Sequence, residues 1–166
     1  ISIDGDTSTN DTFAVMANGM AGNILIESDS EAYQVFKEAL YAVCRDLSLM
    51  LAKDGEGATK LIISKVTGAK DEQSAKKAAK SVICSSLFKA AMFGEDANWG
   101  RVLCALGYSG ADIDVSKIDL NFESSKGIVE VCKSGAGIDF SEEIVAEVLS
   151  DSDITVNVSL GDGKYR

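Results

Sequence analysis

The sequence predicts an α/β fold in which helices cover a mixed β-sheet, and three observations lead to that class. Short apolar segments, some of them alternating with polar residues, have the pattern of strands. Longer segments repeat apolar residues every three or four positions, which is the pattern of amphipathic helices. The two kinds of segment interleave along the chain, and at least one pair of strands is joined by a hairpin. This combination is typical of a mixed sheet with helices packed on it.

The first segment with a clear period predicts a helix at residues 30–52. Ser28 and Glu31 have the spacing of a capping box just before it. Its apolar residues form one stripe: Val35, Phe36, Ala39, Leu40, Val43, Leu47, Met50 and Leu51. Such a stripe predicts a helix face buried in the core. Upstream, residues 1–4 have the pattern of a strand, and residues 12–17 fit either a strand or a short helix.

The rest of the chain predicts alternating strands and helices. In order, they are a strand at 61–66, one long helix at 71–93, a helix at 98–106, a strand at 118–122, a hairpin through 124–127 into a strand at 128–132, a helix capped by Ser141 and carrying Ile144 to Leu149, and a strand at 154–160. Gly161, Asp162 and Gly163 then offer a turn into a returning strand. With that strand cut short at Lys164, we expect residues 154–160 to form an open sheet edge.

Composition limits the classes of function. The chain has 166 residues, of which 46% are hydrophobic and 25% charged, close to the average of soluble globular proteins. Its 26 acidic and 16 basic residues leave a formal net charge of -10, which disfavours nucleic acid and anionic membrane surfaces as partners. No apolar run approaches the roughly 20 residues of a membrane-spanning helix. A small cationic or zwitterionic substrate is compatible with this surface.

The chain offers few groups for metal binding or nucleophilic catalysis. Its four cysteines lie tens of residues apart without a C-x-x-C pattern, and it has no histidine, which argues against zinc and favours free thiols in a reducing compartment. Without histidine, neither a Ser-His-Asp nor a Cys-His site can form within the chain. Residues 4–12 superficially resemble a calcium loop, but Thr9 stands where glycine is required and Val15 where glutamate should close the site. The same run fits both a site-lining loop and an ordinary polar loop.

A second polar segment has a more specific arrangement. In the run Asp54-Gly55-Glu56-Gly57-Ala58-Thr59-Lys60, a carboxylate stands between two glycines where a helix gives way to a strand. Flanking glycines let a ligand approach the backbone closely. A glutamate there can bind a ligand ammonium through a charge-assisted hydrogen bond. By itself the pattern also fits a helix end with an exposed glutamate.

Four motifs together resemble one enzyme family. The runs at residues 4–12, 17–23, 54–60 and 93–101 occur in this order and spacing in ornithine acetyltransferases, the bifunctional glutamate N-acetyltransferases of arginine biosynthesis. The resemblance covers essentially the whole chain. It implies an N-terminal-nucleophile-like fold of αββα layers with a smaller C-terminal α/β domain. Residues 1–58 would then be part of the catalytic domain, and residues 59–166 would form the C-terminal domain of the β chain, truncated at its end.

The resemblance also implies a mechanism and partners. In such enzymes a precursor cuts itself before a threonine, which becomes the first residue of the β chain and takes the acetyl group of N-acetylornithine. Glutamate then accepts the acetyl group, and many members also use acetyl-CoA as a substrate. No other cofactor or metal is implied. The implied partner is the α chain of the same precursor, in a cytoplasmic α2β2 heterotetramer.

Only a few site residues carry over to this sequence. The threonine nucleophile would lie upstream of Ile1, so the resemblance implies that the isolated chain is inactive. Glu56 matches the family's glutamate that binds the amino group of the substrate. Asp6, Thr7 and Ser8 are expected near the active site, without an assigned role.

Alternatives to these assignments remain open. Asn98, Trp99 and Arg101 are motif residues that we interpret as packing and helix-capping groups. A related self-processing aminopeptidase, which shares the fold but not the turn at 54–60, is an alternative identity for the chain. A non-catalytic acidic α/β binding module is another.

Overall fold

A computed structural model describes residues 1–6, 8, 10, 12–161 and 163–165. The chain divides into two compact units, one formed by Ile1 and Ile3–Gly55 and the other by Ser2 and Glu56–Arg166. The helices and strands are α1 (Glu31–Lys53), β1 (Leu61–Thr67), α2 (Glu72–Cys84), α3 (Ser86–Phe93), α4 (Trp99–Gly107), a 3-10 turn (Val115–Lys117), β2 (Asp119–Ser124), β3 (Gly127–Lys133), β4 (Ala136–Gly137), α5 (Glu142–Leu149) and β5 (Asp153–Ser159). The predicted assignment of these parts to a catalytic and a C-terminal domain, divided at 58/59, stays a prediction.

The first unit contains one regular element, α1, among its described residues. The predicted helix is confirmed, but its cap is Ser30 rather than Ser28, because the Ser30 hydroxyl accepts the N–H of Tyr33 at 3.1 Å. The strand predicted at residues 1–4 is wrong, and residues 12–17 form neither a strand nor a helix. Periodicity over so few residues does not distinguish an extended loop from a strand.

The apolar stripe of α1 is not buried, which corrects the prediction that it forms core. No residue of α1 is buried, and Phe36 and Met50 are 54% and 64% exposed. Burial of a helix face requires a second layer of structure packed on it. Within the described residues of this unit, α1 is the only helix or strand, so no second layer is available there.

The second unit is built on a five-stranded mixed sheet in the order β1-β5-β2-β3-β4. β1 and β5 pair in parallel, and the other neighbours are antiparallel. The predicted open edge at residues 154–160 is therefore wrong, because β5 lies between β1 and β2. Tyr165 instead forms an antiparallel bridge with Ala69, beyond the end of β1. The turn predicted at 161–163 includes Asp162, which lies outside the described residues.

The core lies between this sheet and its helices. α2 contacts β1, and α5 contacts β2 and β3. Alternate residues of the central strands are fully buried, among them Phe122 on β2 and Val156 on β5, which face each other in register. The mixed α/β class predicted from the sequence is confirmed.

One predicted helix is in fact two. The segment expected as a single helix at 71–93 divides at Ser85 into α2 and α3. Ser85 has extended backbone angles, and its hydroxyl accepts the N–H of Phe88 at 3.3 Å as the cap of α3. Serine stabilises such a break because its side chain replaces the lost backbone hydrogen bond.

Candidate functional site

Glu56 opens the second unit in an exposed turn. Its neighbour Gly57 has φ +69°, in the left-handed region where glycine is favoured, and a Cβ on it would meet no atom within 4 Å. The Glu56 side chain has no hydrogen bond or ion pair with any described residue. The turn therefore presents an exposed carboxylate that is unpaired within the described part of the chain, which is the arrangement required to bind a cation from solvent.

Four residues later, Lys60 anchors this turn to the body of the unit. Its side chain is only 9% exposed, and its Nζ lies 3.1 Å from a carboxylate oxygen of Glu95. The same ammonium donates to the main-chain oxygens of Leu149, at 2.5 Å, and Asp151, at 3.3 Å. The turn thus presents an exposed carboxylate at Glu56 and ends with a largely buried, paired cation at Lys60.

The backbone adds a further anchor next to Lys60. The N–H of Leu61, at the start of β1, donates to the carbonyl of Ser152 at 2.6 Å. This bond joins the end of the turn to the residue that precedes β5. The parallel pairing of β1 with β5 then continues from Leu61 to Thr67. The end of the turn is consequently positioned by the parallel pair of β1, at the edge of the sheet, with β5.

Asp151, one of the acceptors of Lys60, is itself held firmly. The Ser125 hydroxyl and N–H both donate to its carboxylate, at 2.5 and 3.1 Å. The hydrogen bond from the Ser125 hydroxyl, followed by the N–H of Asp153, lowers the pKa of this carboxyl to about 2. Asp151 is therefore ionised at neutral pH and fixes the connection from which its main-chain oxygen meets Lys60.

The motif at 93–101 supplies Glu95, the side-chain acceptor of Lys60, and the start of α4. Glu95 has φ +57°, an uncommon conformation for a residue with a side chain. Asn98 caps α4 by accepting the N–H of Arg101 at 3.2 Å, and Trp99 packs against the core. A Cβ on Gly137 would lie 2.5 Å from the Trp99 ring, so only glycine fits there. These contacts agree with the interpretation of this motif as packing and capping.

The polar run at 4–12 belongs to the first unit, whereas Glu56 belongs to the second. Asp6 donates its N–H to the Asp4 carboxylate at 2.9 Å, and the Ser8 hydroxyl accepts the N–H of Asn10 at 3.1 Å. Both residues are exposed, and Thr7 lies outside the described residues. These are the local bonds of a polar loop. They assign no chemical role to Asp6 or Ser8, whose place near an active site stays a prediction.

Lys60 lies in the motif at 54–60, where the sequence indicates no role for it, and Asp151 lies in none of the four motifs. A charged residue directly before the apolar strand Leu61-Ile62-Ile63 was a usable signal, because a lysine that enters a core requires partners. Nothing in the sequence pairs Lys60 with Asp151, 91 positions away. That contact follows only from the parallel pairing of β1 and β5.

Within the described ranges, no group of three or more His, Cys, Asp or Glu side chains is arranged to hold a metal ion. All four cysteines are free, and burial raises the pKa of the Cys132 thiol. None of the described helices combines the length and the apolar character needed to cross a bilayer.

Two curated proteins from different bacteria are similar to this chain over almost its whole length. The chain is 53% identical over 165 residues to the Arginine biosynthesis bifunctional protein ArgJ 1 of Clostridium acetobutylicum. The aligned region covers 99% of this chain and 40% of the relative. The chain is 50% identical to the ArgJ protein of Caldanaerobacter subterraneus, over 99% of the chain and 41% of the relative. The chain therefore spans about two fifths of the length of the curated relatives that it matches.

A solved structure extends the likeness to the fold. The crystal structure of the arginine biosynthesis bifunctional protein ArgJ from Bacillus halodurans superposes with a TM-score of 0.86 at 40% sequence identity. The superposed region covers 99% of this chain and 76% of the chain in the crystal structure. The fold expected from the motif resemblance is thus the fold of a solved ArgJ protein. The ArgJ family model matches residues 1–166, and the chain belongs to the ArgJ family.

Proposed function

We propose that this chain is part of the β chain of an acetyltransferase of arginine biosynthesis, in which Glu56 binds the ammonium group of the substrate. The complete enzyme transfers an acetyl group from N-acetylornithine to glutamate through a threonine acetyl-enzyme. The threonine lies outside this chain. Acetyl-CoA is a possible second acetyl donor, and the chemistry requires no other cofactor.

The observation that carries this proposal is the free carboxylate of Glu56. It is exposed beside a glycine with left-handed backbone angles, on a turn whose end is fixed by the largely buried ammonium of Lys60. N-Acetylornithine carries one free ammonium at the end of its side chain. An exposed carboxylate that has no partner among the described residues, on a turn anchored at its end, is suited to bind that group. Membership in the ArgJ family favours acetyl transfer over the aminopeptidase and binding-module alternatives.

The other parts of the proposal concern the complete enzyme. Self-cleavage of a precursor would create both the α chain and the new threonine N-terminus, whose amine, or a group near it, acts as base. A base other than histidine is consistent with a chain that has none. The two chains would assemble as an α2β2 heterotetramer in the cytoplasm, with part of the catalytic site contributed by the α chain.

A substitution in the parent enzyme tests the role of Glu56. We expect Glu56→Gln to lower kcat/KM for N-acetylornithine about ten- to a hundredfold, since a hydrogen bond to a charged group contributes about 1.5–3 kcal/mol. Precursor processing, followed on a gel, should remain intact because it does not involve the substrate ammonium. Glu130→Gln, at an exposed site on β3, is the matched control and should retain wild-type kinetics. Unchanged kinetics in Glu56→Gln would reject the proposed role.

The isolated chain is expected to be inactive. Without the threonine nucleophile, no acetyl-enzyme can form, and substrate binding alone does not replace the covalent step. The measurement is acetyl transfer by the purified 166-residue chain, with the full enzyme excluded by mass spectrometry. Turnover above the uncatalysed rate would place the nucleophile within this chain.

A further inference from the structure

The ammonium of Lys60 is fully engaged. A lysine ammonium has three N–H donors, and Lys60 has three acceptors: a carboxylate oxygen of Glu95 and the main-chain oxygens of Leu149 and Asp151. These acceptors come from the α3–α4 connection, the end of α5 and the approach to β5. One side chain therefore ties the end of the Glu56 turn to three segments that are distant in sequence.

Two of the three acceptors, the main-chain oxygens of Leu149 and Asp151, belong to residues that the fold holds in place. Leu149 is fully buried at the end of α5, whose last turn contains no basic residue. A cation at that position also interacts favourably with the partial negative charge of the helix C-terminus. Asp151 is held by both donors of Ser125. Lys60 therefore anchors the turn to residues that are themselves buried or hydrogen-bonded.

Glu56 contrasts with this anchor. Its side chain is exposed and has no partner among the described residues, so only the backbone of the turn sets its direction. Gly57, next to it, permits conformations that other residues avoid. Such a turn requires an external constraint if its carboxylate is to stay in one orientation. Lys60, four positions later, provides that constraint.

We propose that Lys60 is a positioning residue, which holds the turn so that the Glu56 carboxylate is already oriented to receive the substrate ammonium. This inference rests on the proposed function of Glu56. A group that is held in place before the substrate arrives does not lose conformational freedom on binding, and affinity rises accordingly. Loss of the anchor should weaken substrate binding without altering the covalent step, which the threonine performs.

Kinetics of the complete, processed enzyme test this inference. We expect Lys60→Met, which keeps the aliphatic stem and removes the charge, to raise KM for N-acetylornithine about three- to tenfold with kcat changed less than about twofold. Lys60→Arg, which restores a cation, should recover part of the loss. Lys133→Met is the matched control, because Lys133 pairs with Asp119 away from the turn, and its KM should stay at the wild-type value.

A milder variant covers the case in which Lys60→Met does not fold. Glu95→Asn removes the ion pair of Lys60 at a half-exposed position, and asparagine tolerates the positive φ found there. It should raise KM in the same direction by about two- to threefold. Assays run well below the melting temperature of each variant separate a change in KM from simple unfolding.

The double variant with Glu56→Gln distinguishes the possible failures. If Lys60 acts through Glu56, Lys60→Met should add less than about twofold to KM in the Glu56→Gln background. A lower melting temperature with unchanged KM, or an equal KM increase in both backgrounds, would overturn the positioning role while leaving the role of Glu56 intact. If Glu56→Gln alone leaves KM unchanged, the proposed function fails and the inference fails with it.

Discussion

The two units of this chain have similar sequence patterns and opposite degrees of burial. α1 has a strong apolar stripe, yet none of its residues is buried. In the second unit, weaker and shorter patterns on β2, β3 and β5 correspond to fully buried side chains. A pattern therefore identifies the face that an element can bury, but the presence of a second layer decides whether it does.

Removal of one phenylalanine from each unit should give the largest difference. Phe122 is fully buried and lies on β2, the strand between β5 and β3. Phe122→Ala should therefore lower the free energy of unfolding by about 3–5 kcal/mol. Phe36→Ala, on the exposed stripe of α1, should change it by less than about 0.5 kcal/mol. Urea denaturation of the 166-residue chain measures both. Equal losses would mean that the stripe is buried in solution.

Two glycines with positive φ provide the second comparison. A Cβ on Gly135 would lie 2.2 Å from the carbonyl oxygen of Val115, whereas a Cβ on Gly22 would meet nothing within 4 Å. Gly135→Ala should therefore destabilise the second unit by about 1–3 kcal/mol, because backbone strain and a backbone clash combine. Gly22→Ala should leave the main thermal transition unchanged. A shift of that transition by Gly22→Ala would show that the first unit unfolds together with the core, against this prediction.

Helix caps give a smaller effect. Ser141 accepts the N–H of Ile144 at the start of α5, which packs on the sheet. Ser141→Ala should lower stability by about 1 kcal/mol. Ser30→Ala removes the equivalent cap of α1, which has no buried face, and should reduce helix content by circular dichroism without moving the denaturation midpoint. A shift of the midpoint by Ser30→Ala as large as that by Ser141→Ala would argue that α1 belongs to the cooperative core.

The change of stability with pH that Asp151 causes is confined to acid pH. Its folded-state pKa of about 2 lies below the ordinary value of 3.8, so the stabilisation is present above about pH 4 and is lost as the pH falls towards 2. Asp151→Asn should reduce the loss of stability between about pH 4 and pH 2, so that the melting temperature depends less on pH in that range. Glu38→Gln on α1 is the control from the first unit. An unchanged pH profile in Asp151→Asn would contradict the hydrogen bonding described for this carboxylate.

The sequence predicts elements better than their arrangement. The strands at 61–66, 118–122 and 128–132 are confirmed because alternation is a local property. The position of β5 inside the sheet was predicted wrongly, since a following turn suggested a hairpin and the parallel pairing with β1 spans some 90 residues. The division at Ser85 was missed because helical periodicity continues across it.

The site was predictable in part and for a similar reason. Glu56 stands between two glycines, a local signal, and its motif is specific to the resembling family. The anchor of the turn depends on contacts from Lys60 to Glu95, Leu149 and Asp151, which are 35 to 91 positions away. No local pattern encodes such a set. The sequence thus indicates Glu56 as the candidate binding group, and the structure adds the contacts of Lys60 that hold its turn.

The most direct test of the central claim compares two substrates in the complete enzyme. N-Acetylnorvaline has the carbon chain of N-acetylornithine but lacks the terminal ammonium. If Glu56 binds that ammonium, the wild-type preference for N-acetylornithine in kcat/KM should fall about ten- to a hundredfold in Glu56→Gln, with the rate on N-acetylnorvaline unchanged. An equal preference in both enzymes would show that Glu56 does not recognise the ammonium.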